Sequence, residues 1–334
     1  MAVAMMLANL RWAVAVLVFA ASLAADAQAV GKVYRIGYLS LGSASGTYTR
    51  PLDALRQGLR ELGWVEGRNV HIEYRFAEGQ VDRLPGLADE LVQLKVDVIV
   101  ASPTPSALAA KGATRSIPIV GMGLTEPVAV KLVASLARPG GNVTGLTYGV
   151  DTEIYGKQLQ LLREVFPHVR RVAVLENPGS SATQPLIMQS IESAARSLDL
   201  PLQIVAARQP EDFDAAFAAM VKERAGALFL TGDPMYFVHR TRLADLAKRS
   251  RLPSMSTQWQ WVDAGGLLSY GPSLPDQFRR AATYVDKIFR GAKPAELPIE
   301  QPSKFELAIN LKTARELGIT IPQSMLQRAD DIIQ

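Results

Sequence analysis

The sequence predicts an α/β protein of two Rossmann-like lobes joined by a three-crossing hinge. Three observations predict it. Short apolar runs of strand length alternate with amphipathic stretches whose apolar residues recur every three or four positions, the pattern of a parallel sheet covered by helices on both faces. The order of elements in the first half returns in the second. Three segments marked by Gly or Pro separate the halves, so the chain passes between them more than once.

The first-half strands are expected at 33–39, 70–74, 96–101 and 117–120, and those of the second half at 171–175, 202–205, 227–231 and 253–255. Between them, amphipathic helices are expected at 52–62, 84–94, 186–198, 213–221 and 243–248. The halves echo each other. Tyr34-Arg35-Ile36-Gly37-Tyr38-Leu39 matches Arg170-Arg171-Val172-Ala173-Val174-Leu175, and Arg115-Ser116-Ile117-Pro118 matches Arg251-Leu252-Pro253. A duplicated βα lobe accounts for the shared order better than chance similarity of βα units.

The crossings are expected at Asn142-Val143-Thr144-Gly145-Leu146, at 265–271 and at 298–302. A helix at 276–290 then packs on the first lobe, and 305–310 leads to a final helix from Lys312. This assigns 32–145 and 268–298 to lobe 1, and 146–267 and 299–334 to lobe 2. Two lobes on a short hinge leave a cleft that closes around a ligand.

Composition bounds the chemistry. The chain has 334 residues, 48% of them hydrophobic and 20% charged, which excludes a disordered chain. The net charge of +4 comes from 36 basic and 32 acidic residues with interspersed signs, so no nucleic-acid partner is expected. With no Cys, disulfides, thiolate metal sites and Cys nucleophiles are excluded. His71, His168 and His239 are far apart in sequence, which argues against a His-rich metal site or a Ser-His-Asp triad. No catalytic set and no cofactor are expected.

Residues 1–29 read as a secretory signal peptide. Arg11 precedes an apolar run at 12–25, too short for a comfortable membrane span, and small residues offer cleavage near Ala27 or Ala29. No Cys lies there for a lipid anchor. The mature protein is expected to be exported, periplasmic and monomeric.

In open parallel sheets, ligands bind beyond the carboxyl ends of the strands. In lobe 1 this selects the small, hydroxyl-rich loop holding Ser43 and Tyr48, the loop with Thr104 and Ser106, Glu126 before Pro127, and Tyr148. Thr104 suits a helix cap, with Pro105 at the first helical position. In lobe 2 it selects Asn177 and Ser180, Asp233 before Pro234, and Trp259 with Trp261. Glu126 and Asp233 either pair with a ligand ammonium group or serve as helix-start carboxylates. An extended segment would place Trp259 and Trp261 on one face, either clamping a planar ligand or filling lobe core. Tyr236 and Phe237 are further wall candidates.

Four motifs carry a family resemblance: Gln57-Gly58-Leu59 with Glu61-Leu62-Gly63-Trp64-Val65-Glu66-Gly67; Leu136-Ala137-Arg138-Pro139-Gly140-Gly141-Asn142-Val143-Thr144-Gly145; Ala264-Gly265-Gly266-Leu267-Leu268-Ser269-Tyr270-Gly271; and Gln301-Pro302-Ser303-Lys304-Phe305-Glu306-Leu307. In this order the chain resembles the ABC-transporter substrate-binding proteins that include tryptophan- and tyrosine-type binders, over about residues 33–330. The resemblance implies a type I periplasmic-binding-protein fold. It implies capture of a small molecule, an aromatic amino acid or a related aromatic or carboxylate compound, delivery to a membrane permease and its ATPase, and no catalysis. Where relatives carry Asp-Pro this chain has Glu126-Pro127, and where they carry Arg-Glu-Phe it has Trp259-Gln260-Trp261. An exported sensory binding protein, or a secreted enzyme using Asp233 and His239 as an acid–base pair, are the alternatives on the same scaffold.

Overall fold

Alternation of side chains on a strand gives a parallel sheet two apolar faces, and both must be covered. The computed structural model, which describes residues 32–43, 49–149, 153–178 and 184–334, shows this twice over. The expected signal peptide lies outside the described residues.

The first sheet holds β1 (Tyr34–Ser40), β2 (Val70–Phe76), β3 (Val98–Ser102), β4 (Ile119–Leu124) and β5 (Val143–Thr147), in the order β2-β1-β3-β4-β5, all parallel. On one face Ile36, Tyr38, Val98, Val100 and Val120 meet Leu52, Leu55 and Leu59 of α1 (Thr49–Glu61). On the other, Leu39, Ile99, Ala101 and Ile119 meet α2 (Leu84–Gln93) and α3 (Thr104–Ala113).

The second sheet is built from β6 (Val172–Glu176), β7 (Leu202–Ala206), β8 (Ala227–Leu230), β9 (Ser254–Ser256), β10 (Leu268–Pro272), β11 (Phe305–Asn310) and β12 (Asp331–Ile333). Their order is β12-β11-β10-β9-β8-β6-β7. Only the β10–β11 pair is antiparallel. One face packs against α4 (Glu153–Val165) and α5 (Gln184–Ser197). The other packs against α6 (Phe213–Lys222), α7 (Pro234–Val238), α8 (Arg240–Arg249) and α9 (Trp259–Asp263).

After β10 the chain returns to the first lobe as α10 (Leu274–Phe289). Phe278, Tyr284, Val285 and Phe289 of this helix finish the core shared with α1. Ser273 caps it by accepting a hydrogen bond from Asp276 N. The chain then crosses back to β11 and ends with α11 (Leu311–Leu317), α12 (Gln323–Arg328) and β12.

Two boundaries differ from the sequence expectation. The return crossing expected at 265–271, and with it the start of the lobe 1 segment at 268, is displaced. Residues Leu268–Pro272 are a strand of the second sheet, bonded to β9 on one side and β11 on the other, and the chain leaves that lobe at Ser273. Likewise Asn142–Leu146 does not itself cross: β5 is an edge strand of the first sheet, and the passage follows Thr147.

The crossings are tied backbone to backbone. Thr147 N donates to Glu300 O at 2.9 Å, Glu300 N to Gly145 O at 3.0 Å, and Ser273 N to Lys304 O at 3.0 Å. Two motif glycines make room for this. Gly145 has φ +137°, and a Cβ there would lie 1.9 Å from Gly121 O; a Cβ on Gly271 would lie 1.8 Å from Thr257 O. Among the described residues, no helix is long and apolar enough to cross a membrane.

Candidate functional site

The carboxyl ends of β1, β3, β4 and β5 face those of β6, β8 and β9 across the space between the lobes, and most of the sequence-selected residues are at these ends. From lobe 1, Ser43 is half-buried just beyond β1. Thr104 is the first residue of α3 rather than its cap, a position that Pro103 takes. Its Oγ1 accepts from Thr125 N at 2.8 Å, which joins the loops after β3 and β4. Glu126 follows in left-handed backbone, φ +49°. Its charge and, above all, burial raise the phenol of Tyr155, on α4 of the second lobe, well above the usual range. Tyr155 itself is 2% exposed and belongs to the core of the second lobe. Tyr148 spans the cleft directly: its hydroxyl donates to Thr257 O at 3.0 Å.

From lobe 2, Asp233 takes the helix-start role. Its Oδ1 accepts from Met235 N at 2.7 Å and Tyr236 N at 3.4 Å, and its Oδ2 from Asn177 Nδ2 at 3.1 Å. The carboxylate thereby fixes the start of α7 and ties the loop after β6 to the loop after β8. His239 packs its ring edge-on against Phe213, 5.9 Å between centroids, and forms no acid–base pair with Asp233. Among the described residues, no group of three His, Cys, Asp or Glu could hold a metal ion.

Three expectations are corrected. Ser106 is fully buried and its hydroxyl donates to Ser102 O at 2.8 Å, so it braces its own helix turn and does not face the cleft. Residues 259–263 are not extended but form α9, because Gln258 O accepts from Trp261 N and starts a turn. Trp261 is consequently lobe core, 3% exposed, with Nε1 bonded to Ser254 Oγ at 3.1 Å. Trp259 is half-buried at the rim. Its Nε1 is buried without a hydrogen-bond partner, and the Arg50 guanidinium of lobe 1 lies 6.0 Å from its ring centroid. Tyr48 and Ser180 lie outside the described residues.

Sequence reasoning missed Arg50, Arg240 and Gln258. Thr231, Phe237, Arg240, Ser256 and Gln258 line a depression at the cleft end of β8 and β9, with Trp261 in its floor. Phe237 also packs against the first lobe's core cluster, so this depression sits at the seam of the lobes. Only topology could have found Arg240: no local motif separates it from the other arginines of α8.

Two duplicated parallel-sheet lobes, a triple backbone hinge and a cleft bridged by side chains from both sides define a two-lobed ligand-binding protein of the type I periplasmic-binding class. A family model described as ABC transporter substrate binding protein matches residues 47–333, and the chain belongs to that family. Similar proteins include a tyrosine-binding protein of Clostridioides difficile, 25% identical over 272 residues covering 80% of this chain and 77% of that protein. The crystal structure of a conserved domain protein from Vibrio cholerae is 29% identical with a TM-score of 0.75, covering 90% of this chain and all of that one. An ABC domain from Streptococcus pneumoniae in complex with L-Trp is 25% identical with a TM-score of 0.77, covering 90% of this chain and 99% of that one.

Proposed function

We propose that this chain is the periplasmic receptor of an ABC importer, which closes its lobes on an aromatic amino acid or a related aromatic carboxylate and delivers it to a permease driven by its ATPase. In this reading the leader is removed near Ala27 or Ala29 and the mature monomer acts as a carrier, not an enzyme. The single observation that carries it is the family match over nearly the whole mature chain, with tyrosine- and tryptophan-binding proteins among the similar ones. The cleft suits such a ligand: Tyr148 and Trp259 provide aromatic surface, and Ser43, Thr104, Glu126, Asn177 and Asp233 provide polar surface around it. Ligand that bridges the lobes favours the closed form through contacts that closure completes.

The test is calorimetry and thermal unfolding of the mature chain with L-tyrosine, L-tryptophan and L-phenylalanine, followed by aromatic acids. Saturating ligand at about a hundred times Kd should stabilise the fold by roughly 2.7 kcal/mol. No stabilisation by any aromatic amino acid or acid overturns the reading.

A further inference from the structure

We propose that Gln158 and Thr257 form an acceptor pair on the second lobe that takes the ligand's ammonium group, so that the protein selects aromatic amino acids over aromatic acids lacking the amine. The inference rests on the binding reading above.

Gln158 is fully buried and Thr257 is 2% exposed. Each holds a buried polar atom with no hydrogen-bond partner among the described residues: Gln158 Oε1 and Thr257 Oγ1. Folded proteins keep few such groups, because an unpaired one pays its desolvation with no return. The chemistry of Gln158 is fixed by its other end. Its Nε2 donates to Tyr270 O at 2.6 Å, and a backbone carbonyl can only accept, so the amide oxygen is the end left over. The Thr257 hydroxyl rotates freely enough to present a lone pair. What the two atoms lack is a donor, and an ammonium group carries three.

Topology brings the two together. Ser256 of β9 pairs with Ser269 of β10, and Thr257 and Tyr270 are the next residues along these neighbouring strands. Ser256 and Gln258 line the depression on one face of the sheet. Alternation therefore turns Thr257, between them, to the opposite face, that of Met255 and Tyr270, which α4 covers and from which Gln158 reaches Tyr270 O. This end of β9 is also where the lobes meet, since Tyr148 of lobe 1 donates to Thr257 O. That bond breaks as the lobes part, which opens the pair to the cleft. The charge of Glu126 extends to the same face of α4: it adds to burial in raising the phenol of Tyr155, which is three residues before Gln158 and on the same side of the helix. A negative potential beside two acceptors favours a cationic donor over a neutral one.

The experiment measures Kd of the mature chain for three pairs that differ by the amine: L-tyrosine and 3-(4-hydroxyphenyl)propionate, L-tryptophan and indole-3-propionate, L-phenylalanine and 3-phenylpropionate. The wild-type chain should prefer the amino acid of the best-bound pair by roughly tenfold or more. Thr257→Val, which keeps the shape and removes only the hydroxyl, should abolish most of that preference. Its thermal midpoint without ligand should hold or rise, because an unpaired buried hydroxyl has gone. Gln158→Met should reduce the same preference, with a lower midpoint because Tyr270 O loses its donor. If Thr257→Val fails to fold, the Gln158→Met preference decides. A wild-type protein that binds the acids as tightly as the amino acids, or folded variants that keep the full preference, overturns the acceptor pair and leaves the carrier reading standing. So does a Thr257→Val protein that is less stable without ligand yet equally selective, the signature of two atoms that merely hold a water. Binding of no compound in the panel overturns both.

Discussion

Arg50, at the start of α1, forms an ion pair with Asp331, at the start of β12, and so joins the two lobes directly. The two side chains are 48% and 34% exposed, which limits the pair to about 1 kcal/mol or less. A hinge balanced within a few kcal/mol still responds to such a term. Arg50→Ala or Asp331→Asn should expand the ligand-free protein in small-angle scattering and weaken ligand binding by up to about fivefold, with little change in thermal midpoint. Identical scattering and identical affinity in both variants would show that the pair does not hold the lobes together.

Trp261 carries the opposite signature. It is buried in the second lobe and its indole N–H is satisfied by Ser254 Oγ. Trp261→Ala should destabilise the fold by about 3–5 kcal/mol in urea titrations, whereas Trp261→Phe, which keeps most of the volume and loses the hydrogen bond, should cost markedly less. A stable Trp261→Ala protein with abolished binding would return the residue to the cleft wall.

Gly271 sits where β10 meets the end of β9. A methyl group there would collide with Thr257 O, the same carbonyl that accepts the Tyr148 hydroxyl. Gly271→Ala must push backbone apart at the hinge, at about 1–3 kcal/mol in stability. The expected readout is a lowered urea midpoint together with altered ligand affinity. Tyr148→Phe, which frees that carbonyl without adding bulk, should change affinity with a smaller loss of stability.

Alkaline pH should destabilise the protein through its buried phenols. Burial pushes Tyr74 and Tyr284 up to about 12, and raises Tyr155 and Tyr236 further. Unfolded tyrosines lose their proton near pH 10. The unfolded chain therefore ionises first, so this stabilisation is complete below about pH 10 and is lost as pH rises through about 12. Urea midpoints should fall across that window, and Tyr284→Phe should lessen the fall, at the cost of the hydrogen bond to Pro298 O. A midpoint independent of pH there would contradict the burial of these groups.

Much of the fold was legible in the sequence because its signals are local. Ile36, Val98, Val172 and Ala227 lie in runs too short and too apolar for anything but buried strands, and the Asp233-Pro234 step announces a capped helix. What escaped depends on partners far along the chain. The glycines at 265, 266 and 271 look like a linker until β9 and β11 are seen bonded on either side of β10. The two-residue spacing of Trp259 and Trp261 suggested a flat face, but one hydrogen bond to Gln258 O turned the segment into a helix and its second indole inward. Arg240 and Gln258 belong to different elements, and only the meeting of α8 with the end of β9 makes them neighbours of one depression.

The excursion of the chain through the second lobe before it returns as α10 has a consequence for biosynthesis. All five strands of the first sheet are translated by Thr147, yet Phe278, Tyr284, Val285 and Phe289, which seal one of its faces, follow only after β10. A nascent polypeptide that ends between these points covers that face with α1 alone and leaves part of its apolar surface exposed. The first lobe therefore completes its core only with a helix that follows five strands of the second sheet in the chain.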